Sequence, residues 1–147
     1  MELGVKKVIS AVLVTGFILA GCSKEEEDLV KAKSERPVEE VYSEAWDALA
    51  NNKLKAASDG FEEVERQYPY SEWATRAKVM YAYANYKRGD YDTAIPSLEG
   101  FVKMHPANRN TPYAYYLLAL CYYEQITDVG RDQRITELAL AALEDVI

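Results

Sequence analysis

Residue types in this chain return at a spacing of 37. Ala57 and Ala94, Phe61 and Leu98, and Pro69 and Pro106 are each 37 residues apart, and Ala45, Ala82 and Ala119 continue the step. A repeat of this length holds one supersecondary unit. Such a unit cannot bury its own apolar face, so neighbouring units must stack. Few stretches alternate apolar with polar residues, and there are only 7 Gly and 5 Pro, so the expected fold class is all-α. Punctuation marks the helices. Pro37 followed by Val38-Glu39-Glu40 reads as a helix opening, with proline at the first helical position and acids in the first turn. Ser71, Asp90 and Thr111 are candidate N-caps, the last followed by Pro112. Asn51-Asn52 and Gly89 stand where helices should stop.

The unit resembles the tetratricopeptide repeat (TPR): a small residue in the first helix, a turn, then Ala, a bulky apolar residue four later and a closing proline. Ala82, Gly89, Ala94, Leu98 and Pro106 supply these in one unit, and Ala45, Asn52, Ala57, Phe61 and Pro69 in the unit before. The resemblance implies a TPR-like α-solenoid of antiparallel helix pairs, with repeats at about 38–70, 71–107 and 111–147. The period exceeds the usual length of about 34, and the extra residues are assigned to the segment between repeats, at 70–74. Pro96 lies inside a second helix, where it should remove one backbone bond and bend the axis at a cost of about 3 kcal/mol. Ala119 and Ala139 are 20 apart, against 12 for Ala82 and Ala94, which suggests a loop inserted near 127–134. The helix expected at 112–126 is apolar nearly all round, as suits an interior unit. The next, at 135–147, has no closing proline, so the chain is expected to be truncated C-terminally.

Residues 1–22 read MELGVKKVISAVLVTGFILAGC. Lys6 and Lys7 precede a largely apolar run of 13 residues at 8–20. That run is too short to span about 30 Å of hydrocarbon and matches a signal-peptide core. It ends in Leu19-Ala20-Gly21-Cys22, which looks like the lipobox of bacterial lipoproteins. Residues 1–21 are therefore expected to be removed, with Cys22 as the lipidation site and more than one acyl chain giving stable anchoring. By resemblance to the familiar sorting rule, Ser23 rather than Asp points to the outer membrane. Residues 22–36 read as a lipidated N-terminus and solvated tether, and residues 37–147 as the repeat domain. The acids at 25–28 belong to the tether rather than to a metal site. Once Cys22 is acylated, Cys121 has no partner and is expected to be a buried thiol.

The net charge is −7, without a run of Lys or Arg that could form a basic patch, so nucleic acid is not an expected partner. His105 is the only histidine, and the common nucleophile, zinc and phosphate-loop patterns are missing from the sequence. An enzyme is not expected, and no cofactor is expected beyond the covalent lipid on Cys22. Binding is better supported. All 12 tyrosines lie at position 42 or later, and many fall on the first helix of a repeat at spacings of 3 and 4, which share one helix face. The expected peptide-binding groove comprises Tyr42, Trp46 and Leu49, then Arg76, Val79, Tyr83 and Tyr86, then Tyr113, Tyr116, Leu120 and Tyr123. Tyrosine and tryptophan give large contact area with a polar tip, although some of these rings could pack between helices instead.

Several stretches resemble one family closely, that of the outer-membrane assembly lipoprotein BamD. They are Gln67-Tyr68-Pro69-Tyr70-Ser71, Tyr81-Ala82-Tyr83-Ala84-Asn85-Tyr86, residues 101–106, residues 119–126 and the loop at 127–133. The resemblance covers essentially the whole mature chain. It implies a non-enzymatic subunit of the β-barrel assembly (BAM) complex at the periplasmic face of the outer membrane. The partners implied are BamA, other BAM subunits and segments of unfolded outer-membrane β-barrel proteins. In that family the N-terminal repeats are associated with substrate and the C-terminal ones with BamA. Two alternatives share parts of the pattern: a TPR pilotin lipoprotein for secretin assembly, and an enzyme carrying a TPR arm.

Overall fold

The computed structural model describes residues 36–127 and 133–146. The signal peptide, Cys22, the tether at 22–35 and residues 128–132 of the expected loop lie outside the described residues. Six helices follow in order: α1 (Val38–Ala50), α2 (Leu54–Gln67), α3 (Glu72–Lys87), α4 (Tyr91–Met104), α5 (Thr111–Tyr123) and α6 (Gln133–Glu144). No strand occurs among the described residues, and none of their helices is long and apolar enough to cross a membrane.

The repeat governs the helix ends as well as their interiors. α2 and α4 begin and end 37 residues apart, and so do the ends of α1 and α3. Both first helices stop by the same device, a left-handed residue just past the cap. Asn52 has φ +57° and Gly89 has φ +76°. In α1 the N–H groups of Asn52 and Lys53 return to the carbonyls of Leu49 and Ala48, at 3.0 and 2.8 Å. In α3 those of Gly89 and Asp90 return to Tyr86 and Asn85, at 2.9 and 3.0 Å. This pair of bonds is the Schellman motif, which satisfies carbonyls that a helix end would leave bare. The second helices end alike too, at Tyr68 (φ −129°, ψ 52°) and His105 (φ −129°, ψ 53°). Each precedes a proline, which favours an extended φ.

Most of the punctuation read from the sequence is present, with corrections. Ser71 caps α3, accepting the Ala74 N–H at 3.0 Å, and Asp90 caps α4, accepting that of Thr93 at 3.3 Å. Thr111 is not a cap: Asn110 holds that place, while Thr111 is the first helical residue and donates its hydroxyl to the His105 carbonyl at 2.6 Å. That bond ties the start of α5 to the end of α4. Pro37 is the cap residue rather than the first helical one. The extra residues of the long period are not loop: Glu72, Trp73 and Ala74 form an added first turn of α3. α4 runs unbroken through the exposed Pro96. α5 closes at Tyr123, short of Ile126, and α6 spans Gln133–Glu144 rather than 135–147.

Each helix packs on the next in the chain, and the first helices also meet, α1 with α3 and α3 with α5. The seams are small residues. Ala45, Ala57, Ala82, Ala94 and Ala119 are all buried. A Cβ built on Gly60 would lie 2.8 Å from the Ala45 Cβ and 3.2 Å from its Cα, so α1 and α2 touch almost backbone to backbone there. Phe61 and Val64 fill the space between α1, α2 and α3, and Leu98 and Phe101 fill that between α3, α4 and α5. α3 serves both layers: Ala77 and Ala84 face the first, Val79 and Ala82 the second. Two buried faces leave it little amphipathic contrast. A polar clip also joins α2 to α3. Ser58 donates to the Asn85 Oδ1 at 3.1 Å, Arg88 donates to the same oxygen at 3.0 Å, and the Asn85 amide donates to the Tyr81 carbonyl at 3.0 Å.

Cys121 is a free, fully buried thiol, and burial pushes its pKa from 9.0 up to about 11. Beside it, the Tyr122 hydroxyl donates to Glu99 at 2.8 Å, and burial together with that carboxylate pushes its pKa up to about 12.

Two predictions follow from these features. Gly89→Ala places a side chain in the left-handed region and should cost about 1–2 kcal/mol in urea denaturation, whereas Asn52→Gly should leave the midpoint unchanged or raised. The buried protons set a pH dependence. An unfolded chain releases the Cys121 and Tyr122 protons at their ordinary values, below the folded ones, so rising pH favours unfolding. Stability should therefore hold below pH 9 and fall as pH climbs through about 11 and 12. Thermal melts across that range should show the loss, and Cys121→Ala should reduce it between 9 and 11.

Candidate functional site

Because first helices of successive repeats lie side by side, residues repeated at helical spacing on α1, α3 and α5 are carried toward one another. Tyr42 of α1 is half-buried, with its ring 5.3 Å from Phe61 of α2 and 4.8 Å from Trp73 of α3. The Arg76 guanidinium lies over the other part of this aromatic group, 5.2 Å from the Trp73 ring. Tyr42, Arg76, Val79, Met80, Arg109, Asn110 and Tyr113 line a single cavity of about 250 Å³. Val79 is buried and forms its floor. Tyr113 and Tyr116 stand 6.4 Å apart on α5, and Tyr83 and Tyr86 stand 6.5 Å apart on α3. Tyr91, at the start of α4, extends the group 6.1 Å beyond Tyr86.

Burial raises the pKa of Tyr113, with the neighbouring Tyr83, Tyr116 and Tyr86 adding to the shift. Burial also raises that of Tyr86, helped by Glu124, Tyr91, Cys121 and Tyr116. Tyr42 is raised by burial against the opposing pull of Arg76. Tyr42, Tyr86 and Tyr113 therefore hold their protons at physiological pH, so their hydroxyls can both donate and accept. Ring faces offer apolar area and the hydroxyl tips offer hydrogen bonds, a combination suited to an extended peptide with aromatic side chains.

Tyr42, Arg76, Val79 and Tyr113 thus share one cavity, and Tyr83, Tyr86 and Tyr116 adjoin it through Tyr113. The remaining groove candidates sit elsewhere. Leu49 is half-buried against the α1–α2 core and Leu120 against the α5 core, while Trp46 is 48% exposed. Tyr123 is 65% exposed and borders a separate cavity with Glu124, Ile126 and Thr136. Met80, Arg109, Asn110 and Tyr91 were not expected. Arg109 and Asn110 lie in the α4–α5 connection, where helical spacing gives no direction. Their nearness to the start of α5 was the one available signal. Among the described residues no group of His, Cys, Asp and Glu is placed to hold a metal ion.

Comparison with known proteins gives a consistent result. A family described as YfiO, outer membrane lipoprotein, matches residues 34–147. The outer membrane protein assembly factor BamD of Caulobacter vibrioides is 47% identical over 139 residues, covering 95% of this chain and 45% of that protein. Its namesake in Rickettsia prowazekii is 38% identical over 143 residues, covering 96% of this chain and 55% of that protein. The one in Neisseria gonorrhoeae is 30% identical over 123 residues, 82% of this chain and 45% of that protein. The chain spans about half the length of the curated relatives it matches.

Proposed function

This chain belongs to the YfiO family of outer membrane lipoproteins, and on that premise we propose that it is a non-enzymatic BamD-type subunit of the β-barrel assembly complex. It sits at the periplasmic face of the outer membrane, held by lipid on Cys22. There it takes part in the assembly and insertion of β-barrel proteins, binding BamA and other subunits on one side and segments of unfolded barrel proteins on the other. The relatives carry the name of an outer membrane protein assembly factor, and no observation favours the secretin-pilot alternative.

The observation that carries the substrate role is the tyrosine cluster of Tyr83, Tyr86, Tyr113 and Tyr116 on α3 and α5. An unfolded barrel strand alternates apolar and polar side chains, with aromatic residues toward its ends, and exposes its backbone N–H and C=O groups. Stacked phenols accept the first and hydrogen-bond the second, with little entropy to lose because each ring has few rotatable bonds.

Three experiments test this reading. Replacing Tyr83 and Tyr86 together by Ala, in full-length protein whose helicity is retained, should weaken binding of an unfolded outer-membrane β-barrel protein at least about tenfold, or about 1.4 kcal/mol. Unchanged affinity would remove the groove from the account. Cys22→Ala should move the protein from the membrane fraction to the soluble periplasm, because every acyl chain is lost with the thiol. Co-purification of BamA with the full-length protein, rather than a secretin, should confirm the complex.

A further inference from the structure

The connections at the two ends of the helix pairs differ in chemistry. At one end, the first two are Asn51-Asn52-Lys53, between α1 and α2, and Arg88-Gly89-Asp90, between α3 and α4, and neither carries an apolar side chain. At the other end, residues 68–71 join α2 to α3 and residues 105–110 join α4 to α5. Both of these begin with the same closed turn. The Ser71 N–H donates to the Tyr68 carbonyl and the Asn108 N–H to the His105 carbonyl, each at 3.0 Å. Pro69-Tyr70 and Pro106-Ala107 are the central pairs, and proline at the first central position presets φ for such a turn. The turn needs no bulky residue at its second central position, yet Tyr70 stands there fully exposed. Met104, the last residue of α4, is 57% exposed beside the other turn. Arg109 is the only formal charge in the two connections.

The start of α1 belongs to this same end. Tyr42, in the second turn of α1, has its ring 4.8 Å from that of Trp73, in the first turn of α3. The start of α3 in turn lines one cavity with residues 108–110. The chain therefore arrives from Cys22 at the end that carries Tyr70 and Met104. Pro37 lies 15 residues after Cys22, a reach of at most about 50 Å.

A phenol ring, apolar in its body and polar at its tip, suits the headgroup layer of a bilayer, where tyrosine is enriched. Met104 and the two turn prolines add apolar surface, and Arg109 adds donors for a lipid phosphate. Glu39, Glu40 and Glu72 occupy the adjoining first turns, so insertion of the ring drives the contact rather than attraction to anionic lipid. One such ring binds a bilayer weakly by itself. A lipid anchor confines it near the surface at high effective concentration, and a weak contact then suffices. Because the turn is already closed, little backbone freedom is lost on contact.

We infer that this end of the repeat domain, with Tyr70 and Met104 at its tip, rests in the headgroup layer of the membrane that holds the anchor. The polar connections at 51–53 and 88–90 then face away from the bilayer. This rests on the lipid-anchor reading above.

The test uses full-length lipoprotein in phosphatidylcholine vesicles that contain a lipid spin-labelled at its headgroup. A fluorescent amino acid is placed at Ala107, in the second turn, or at Lys53, in an opposite connection; both positions are exposed. Quenching at 107 should be at least about threefold stronger than at 53. Tyr70→Ser with Met104→Ser should bring quenching at 107 down to the level at 53, with circular dichroism checking that the fold is kept. Equal quenching at the two positions, or quenching at 107 that the double variant leaves unchanged, would overturn the membrane contact. Flotation with the vesicles reports the anchor separately. Protein that floats without the quenching difference keeps its anchor and loses only this contact, whereas protein that fails to float overturns both.

Discussion

The close approach of paired helices through small residues is the constraint on which everything else depends. At Gly60 and Ala45 the backbones of α1 and α2 leave no room for another methyl group. Buried alanines at 45, 57, 82, 94 and 119 keep the seams similarly narrow along the stack. With the pairs packed this tightly, the larger residues Phe61, Leu98 and Phe101 have only the gaps between units to fill. The second helices then take up the outer positions, and α1, α3 and α5 come into contact with one another. A wider seam would separate the first helices and disperse the tyrosines they carry.

The same packing accounts for the chemistry of the cleft. Tyrosines that are half-withdrawn from water hold their protons, so the surface offers hydrogen bonds without charge. The charge is concentrated at one end, in Arg76 and Arg109. In a chain of net charge −7, a cavity wall free of acids focuses a local positive field that net charge alone would hide.

Much of this was legible in the sequence because a repeat writes the same instruction twice. The 37-residue offset located the alanine seams, the bulky fillers and both left-handed stops, even though one stop is Asn52 and the other Gly89. Where the units differ, the sequence misled. Residues 72–74 read as connection but form a helical turn, because Ser71 supplies a cap ahead of them. Thr111 read as a cap, yet its hydroxyl is drawn to the His105 carbonyl, leaving Asn110 at the helix boundary. Helical spacing placed Tyr42, Arg76 and Tyr113 correctly enough to meet, but it could not place Arg109. A loop residue is positioned by the two helices it joins, and that is tertiary information. Spacing also could not separate Trp46 and Tyr123 from the cluster, since it fixes a face along a helix and not which neighbours cover it.

The central claim is that stacking creates one face on which unfolded barrel segments lie. Site-specific photo-crosslinking reads this directly. A photoreactive residue would replace Tyr116, in the tyrosine cluster, or Lys103, exposed on α4, in the full-length lipoprotein mixed with an unfolded outer-membrane β-barrel protein. The account predicts adducts from position 116 and essentially none from position 103. Equal adducts from both, or adducts from 103 alone, would contradict it.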